Sequence, residues 1–290
     1  MKVFKFGGAS VKDAAGVKNV ASVLQKTGEK DLLVVVSAMG KMTNQLEKVV
    51  DAYLSETQSA AESIQEFKEY HNCILNDLFT NSSHPVFNEV GKRYQSLSNF
   101  LEHNNSKNRP FVYDQIVGYG ELVSTQIVSA YLSEVHIENT LLDVRSCIET
   151  DSNYRDAKVD WEATQEHISA KVSAKGITIT QGFLGAEGAN NFTTTLGREG
   201  SDYTAAIFAY CLNAESVTIW KDVPGVLNAE SDFTYNGTEL TVTGTGSFEG
   251  PVSATNLYTN QYVYHNGDPD TFINFLDDEI LELNNQEKDL

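Results

Sequence analysis

Thr193-Thr194-Thr195-Leu196-Gly197-Arg198-Glu199-Gly200-Ser201-Asp202-Tyr203-Thr204-Ala205-Ala206 is the stretch on which the reading of this chain turns. Two glycines flank an Arg and a Glu, and a Ser-Asp pair opens an apolar, helix-prone run. Ser201 or Asp202 is placed to cap that helix by accepting hydrogen bonds from its free amides. Gly197 and Gly200 let the backbone approach a ligand closely. The start of the helix then turns free amides and a positive dipole end toward an anion. Arg198 adds a planar fork suited to carboxylate or phosphate. The same spacing also suits an ordinary glycine-rich turn with an exposed Arg, so the rest of the chain has to decide.

Working outward, residues 3–6 read as a short strand ending in Gly7-Gly8. Ser10 or Asp13 then starts a helix whose apolar face is Val17, Val20, Ala21 and Leu24, at i, i+3, i+4 and i+7. Residues 32–36, Leu-Leu-Val-Val-Val, suit a parallel strand covered on both faces. A loop over residues 37–44 leads into a helix through Leu46, Val49, Val50 and Tyr53, and Thr43 is a candidate N-cap for it. Residues 57–105 hold no good strand and read as two or three helices broken at Asn81-Ser82-Ser83-His84-Pro85, an excursion on the substrate side. Gly118-Tyr119-Gly120-Glu121 opens another helix, and residues 140–144 form a strand. A helix over 161–172, a strand over 177–180, the quoted stretch with its helix, and a strand over 216–220 complete the alternation. Strand and helix alternating over some 220 residues indicates βαβ units and an α/β fold.

The quoted stretch, Thr-Thr-Thr-Leu-Gly-Arg-x-Gly-Ser-Asp-Tyr-Thr-Ala-Ala, resembles the signature of the amino-acid kinase superfamily, and within it that of the aspartate kinases. The resemblance runs from Met1 to about Ala229. It implies a mostly parallel sheet between helical layers, of the carbamate kinase-like kind, over residues 1–235. Lys5-Phe6-Gly7-Gly8-Ala9-Ser10 resembles the N-terminal motif, with Ala9 where Thr is usual. A Lys at a strand's carboxyl end sits where open α/β sheets bind ligands. Phosphoryl transfer needs positive charge and amides around the transferring group. On the resemblance Lys5 is catalytic, and Gly7, Gly8 and Ser10 are nucleotide-binding; a Lys snorkelling from a strand end is the plainer alternative.

Other assignments follow the resemblance in the same way. Ala38 and Thr43, in Ser37-Ala38-x-x-x-Met42-Thr43-Asn44, go to the amino-acid substrate. Glu121 goes to its α-amino group, although a Glu in a first turn also simply complements the helix dipole. Phe183, in Gln181-Gly182-Phe183-Leu184-Gly185, borders the amino acid, and Asp143-Val144-Arg145 supports the site. Arg198 and Ser201 go to the substrate carboxylate, and Asp202 positions Lys5. Lys221 and Asp222, in Trp220-Lys221-Asp222-Val223-Pro224-Gly225-Val226, fall to the nucleotide, unless Pro224-Gly225 only punctuates a turn. The implied reaction is that of an aspartate kinase. It passes the γ-phosphoryl group of ATP, with Mg²⁺, to the β-carboxylate of L-aspartate, giving 4-phospho-L-aspartate for lysine, threonine and methionine biosynthesis. A sibling kinase for another carboxylate or carbamate stays open, as does a catalytically impaired remnant.

Composition narrows the classes further. The 290 residues carry a formal net charge of −19, which argues against a nucleic-acid partner. The purest apolar run is far too short to span a bilayer, so no membrane partner is expected. Cys73, Cys147 and Cys211 lack C-x-x-C spacing and read as reduced, mostly buried thiols of a cytoplasmic protein, not a metal site. The N-terminus enters a strand pattern at once, so no leader is expected. A homo-oligomer is compatible with the resemblance. Residues 230–290 hold twelve Asp or Glu against one basic residue, Lys288, and match nothing in the family. Over 236–290 this acidic tail shows hairpin signals at Asn236-Gly237 and Asn266-Gly267. A helix capped by Asp270, with Ile273, Leu276, Ile280 and Leu283 on one face, would follow. No regulatory ACT domain, of the kind that often follows such a kinase domain, is expected within these residues. A nucleotide facing so acidic a segment is expected to bind weakly.

Overall fold

The computed structural model describes residues 1–57, 59–197, 200–220, 233–235, 240–242, 262–265, 268–276 and 280–285. Residues Met1–Val226 form one compact unit and Leu227–Leu290 another. In the first unit, β1 (Lys2–Phe6) lies between β2 (Leu32–Val36) and β8 (Val217–Trp220), and the sheet continues through β5 (Ile177–Gln181) to β3 (Asn139–Leu142). Every pairing in this five-stranded sheet is parallel. Lys5 stands opposite Val35 on one side and Ile219 on the other.

All five residues of β2 are buried, as its unbroken apolar run requires. Side chains alternate across a strand with period two. Phe4, Phe6, Leu32, Val34 and Val36 therefore enter one core, with α1 (Ala14–Thr27), α2 (Met42–Leu54), α3 (Ser59–Leu78), α4 (Pro85–His103), α5 (Arg109–Val117) and α6 (Tyr119–Glu134). Val3, Leu33 and Val35 enter the other, against α7 (Trp161–Lys171) and α8 (Gly200–Cys211). Burying the β2 side chains contributes on the order of 10 kcal/mol as an upper bound. Because Lys5 shares the face of Val3, its side chain reaches the α8 layer at the strand's carboxyl end.

A second, three-stranded sheet joins β4 (Glu149–Thr150), β6 (Leu184–Glu187) and β7 (Thr193–Thr195), with β4–β6 parallel and β6–β7 antiparallel. Its Thr195, at the end of β7, borders the cleft at the end of the large sheet. The sequence reading contained neither this sheet nor α5.

Of the two expected starts of α1, Asp13 is its cap, with Oδ1 accepting from the Gly16 amide at 2.7 Å, and Ser10 belongs to a short 3-10 turn, Gly8–Val11. Other expectations are corrected. The loop after β2 is shorter than expected: Lys41 is the N-cap position of α2, and Thr43 lies inside the helix. Likewise α8 begins at Gly200, so Ser201 and Asp202 sit in its first turn and not at the cap. The strand expected over 140–144 stops at Leu142, because the Asp143 carboxylate accepts from the Arg145 amide at 3.1 Å and turns the chain. Helices α3 and α4 contribute no residue to the cleft, contrary to their expected place on the substrate side.

In the second unit, β9 (Phe233–Tyr235) pairs antiparallel with β10 (Leu240–Val242), and β11 (Tyr262–His265), β12 (Asp268–Leu276) and β13 (Ile280–Asn285) form an antiparallel sheet. The helix expected from Asp270 is therefore replaced by two strands. Thr271, Phe272, Ile273 and Phe275 are β-branched or aromatic, and that preference overrides a spacing that also fits a helix. The Asn236-Gly237 and Asn266-Gly267 turns lie outside the described residues. Among the described residues no helix is long and apolar enough to cross a membrane. Cys147 and Cys211 are buried thiols, while Cys73 is exposed.

Candidate active site

A cavity of about 450 Å³ opens at the carboxyl ends of β1 and β2, where parallel strands leave room between their connections. Eight expected residues line it: Lys5, Gly8, Ala38, Thr43, Glu121, Phe183, Ser201 and Asp202. Gly7 and Ser10 do not. The Ser10 hydroxyl donates to the Trp220 carbonyl at 3.3 Å, which ties the first turn to the end of β8. Arg198, Lys221 and Asp222 lie outside the described residues.

On the large-sheet wall, Lys5 is 6% exposed, and its Nζ stands 2.6 Å from Asp202 Oδ1 in the first turn of α8. Close backbone approach is a condition of this wall. A Cβ on Gly8 would lie 2.6 Å from the Ala38 carbonyl, so only glycine brings the two loops together. Across the cleft, a Cβ on Gly200 would meet the Phe183 ring at 2.6 Å. Phe183 itself holds a left-handed backbone, φ 70°. Its amide donates to Thr204 Oγ1 at 2.9 Å and its carbonyl accepts from the Leu196 amide at 2.9 Å.

Glu121 is buried in the first turn of α6. Its Oε1 accepts from the Ala38 amide at 3.2 Å, and its Oε2 has no partner. Burial pushes its carboxyl up to about 8, against the opposing pull of the Ala38 amide. A buried carboxyl oxygen with nothing bonded to it is uncommon, and here it belongs to a residue that lines a cavity.

Tyr113 and Arg155 line the cavity from outside every quoted motif, and Thr195 lines it from the quoted stretch, where it had no assigned role. One buried carboxylate organises them. Asp114 in α5 accepts from the Thr195 amide at 2.9 Å, from Thr195 Oγ1 at 2.8 Å, and from the Arg155 amide at 3.0 Å. Burial raises its carboxyl to about 6, and those donors hold it down. An Asp inside the apolar run Phe111-Val112-Tyr113-Asp114-Gln115-Ile116-Val117 was the available signal. The support expected of Asp143-Val144-Arg145 takes a definite form. Arg145 grips Asp143 through Nε at 2.9 Å and Nη2 at 2.6 Å, and its Nη1 donates to Thr193 Oγ1 at 3.1 Å. No group of three or more His, Cys, Asp or Glu able to hold a metal occurs among the described residues.

The model of the Amino acid kinase family matches residues 1–242, beyond the residue-229 limit of the sequence resemblance. The lysine-sensitive aspartokinase 3 of Escherichia coli is 32% identical over 231 residues, covering 79% of this chain and 50% of that protein. Aspartokinase 2 of Arabidopsis thaliana is 30% identical over 240 residues, covering 79% and 43%. The crystal structure of Escherichia coli aspartokinase III with aspartate and ADP aligns at a TM-score of 0.69 and 31% identity, covering 78% of this chain and 50% of that one. The chain thus spans half or less of the length of these relatives.

Proposed function

The chain belongs to the amino acid kinase family, and from that premise we propose that it is a carboxylate phosphotransferase that phosphorylates L-aspartate from Mg-ATP. The observation that carries this reading is Glu121. Its unpartnered Oε2, buried at the cleft, fits the ammonium of an amino-acid substrate: the cation supplies the missing donor, and the carboxylate ionises to meet it. The names of the relatives supply the acceptor and the nucleotide, since one of them was crystallised with aspartate and ADP.

In this reading Lys5 stands over the transferring phosphoryl group, with Asp202 fixing its ammonium. The β-carboxylate of aspartate attacks the γ-phosphorus, the bond to the bridging oxygen breaks, and ADP departs as 4-phospho-L-aspartate forms. No proton has to be removed from an ionised carboxylate, so the chain needs no general base. Its work is alignment in line and charge neutralisation. Ala38 and Thr43 border the amino acid from the α2 side, Phe183 and Ser201 from the α8 side, and Arg198 takes the α-carboxylate. Gly7, Gly8, Ser10, Lys221 and Asp222 serve the nucleotide, with Mg²⁺ entering as part of it. Residues 1–235 act as the kinase domain and 236–290 as a separate acidic segment. The product would feed lysine, threonine and methionine biosynthesis. A cytoplasmic setting suits the free thiols, which stay reduced there.

Trapping with hydroxylamine tests the reaction. An acyl phosphate is converted to a coloured hydroxamate, so Mg-ATP with L-aspartate should yield one. Hydroxamate from another amino acid and none from aspartate would move the chain to a sibling substrate.

A further inference from the structure

Arg155 is not needed by the reaction as drawn above, yet it lines the same cavity. It lies in the connection between β4 and α7, against β7. Its backbone is left-handed, φ 75°, a conformation that glycine takes without strain and a side chain with a Cβ resists. Six non-glycine residues among the described ones have positive φ, and the two that line the cavity are Phe183 and Arg155. Strain of this kind persists where the surroundings over-determine it. Here they do so from two sides. The Arg155 amide donates to both Asp114 oxygens, at 3.0 and 3.1 Å. The guanidinium carbon lies 4.3 Å from the centroid of the Tyr113 ring. That ring is itself fixed, buried to 8% exposure with its hydroxyl donating to Glu47 Oε1 at 3.1 Å.

The guanidinium is therefore held in place, and its charge is not spent on a salt bridge. Among the described residues Lys5 pairs with Asp202, Arg145 with Asp143 and Arg109 with Asp51, but Arg155 makes no ion pair. Asp114 is close enough to feel the charge, yet its oxygens are occupied by Thr195 and the Arg155 amide. A planar fork fixed by an aromatic face leaves its N–H edges for a planar anion.

We infer that the Arg155 guanidinium is an anion-binding group of this cavity, contacting a carboxylate of the amino-acid acceptor. The inference rests on the kinase reading for the identity of that acceptor. The wall decides between acceptor and nucleotide. Lys5 and Gly8 stand at the end of the large sheet, where the phosphates go. Arg155 stands with Tyr113 and Thr195 on the small-sheet side. The contact adds recognition of negative charge at the acceptor, so Arg155 acts on affinity and on discrimination between acids and amides.

Arg155→Gly is the decisive variant, because it removes the guanidinium while keeping, and easing, the left-handed backbone. Its melting temperature should equal or exceed that of the wild type. With the full chain, titration calorimetry and steady-state assays should show the Kd and KM for L-aspartate rising roughly 10- to 100-fold. Turnover number and Mg-ATP affinity should stay within about threefold. Arg155→Lys, which keeps charge but loses the planar stack, should fall between. Aspartate affinity within twofold of wild type in folded Arg155→Gly overturns the inference, as does a loss confined to Mg-ATP. If the wild type neither binds nor phosphorylates aspartate, the acceptor reading falls instead. Sulfate titrated as a bare dianion then decides Arg155 alone: weaker binding to Arg155→Gly supports it, and equal binding overturns it.

Discussion

Lys5 Nζ and Asp202 Oδ1 stand 2.6 Å apart, one at the carboxyl end of β1 and the other in the first turn of α8. The two side chains are 8% and 22% exposed, so the pair is largely withdrawn from water. Such a pair gains little net stability, because desolvation offsets much of its attraction. What it fixes is position: an ammonium whose direction is set before any ligand arrives.

Lys5→Ala should therefore act mainly on turnover. Loss of one charged contact to the transferring group costs about 3–4 kcal/mol, roughly 10² to 10³ in rate. Aspartate affinity should move little, while stability should fall, because Asp202 keeps a largely buried charge that Lys5 no longer balances. Turnover within threefold of wild type in the hydroxamate assay would assign Lys5 to strand-end packing.

Elements with a strong local pattern were legible in the sequence. The apolar run of β2 and the Val17, Val20, Ala21 and Leu24 stripe of α1 bury as their periodicities require. Motifs also located most of the cleft, since Lys5, Glu121, Phe183 and Asp202 meet there although they are distant in the chain. What escaped is held by tertiary contacts. The three threonines of β7 have no strand-defining length, and their place is set by Asp114 from α5 and by Arg145. Arg155 had no motif to mark it, because its role comes from a backbone angle and a neighbouring ring. Ser201 and Asp202 look like caps by type, but α8 starts one residue earlier and turns Asp202 toward Lys5.

Gly200→Ala tests the tight contact between the start of α8 and Phe183. The new methyl would sit 2.6 Å from the Phe183 ring, whose backbone is tied to Thr204 and Leu196. Overpacking of this kind costs about 1–3 kcal/mol, and the displaced ring should also raise the aspartate KM. Unchanged urea midpoint and KM would mean that the ring swings aside freely.

Asp114→Ala should loosen the small-sheet side of the cleft at two points, Thr195 and Arg155. It strands the Thr195 amide and hydroxyl and the Arg155 amide. Donors left without acceptors cost about 1–3 kcal/mol each where water cannot reach them. Urea denaturation should show a loss of about 2–4 kcal/mol, with a raised aspartate KM. A loss below about 0.5 kcal/mol would remove Asp114 from this organising role.

Glu121 makes the binding of substrate depend on pH. Without ligand its carboxyl keeps its proton up to about pH 8, because burial penalises the charged form. An ammonium at Oε2 demands the carboxylate, so binding expels a proton. Aspartate affinity should rise as pH goes from 6.5 to 8, by up to about tenfold per unit, and level off above 8. Calorimetry in buffers of different ionisation enthalpy should register the released proton below pH 8. Stability of the empty protein runs the other way. The unfolded carboxyl titrates near its ordinary 4.5 and the folded one near 8. Between those values the folded state binds more protons, so Glu121's contribution to stability falls as pH rises through the window. Glu121→Gln should then melt close to wild type at pH 5 and above it at pH 9. The same variant should bind aspartate weakly and lose the pH dependence, since a neutral amide neither meets the ammonium nor titrates. An aspartate affinity that is flat from pH 6.5 to 8.5 in the wild type would show that Glu121 does not receive the substrate amine.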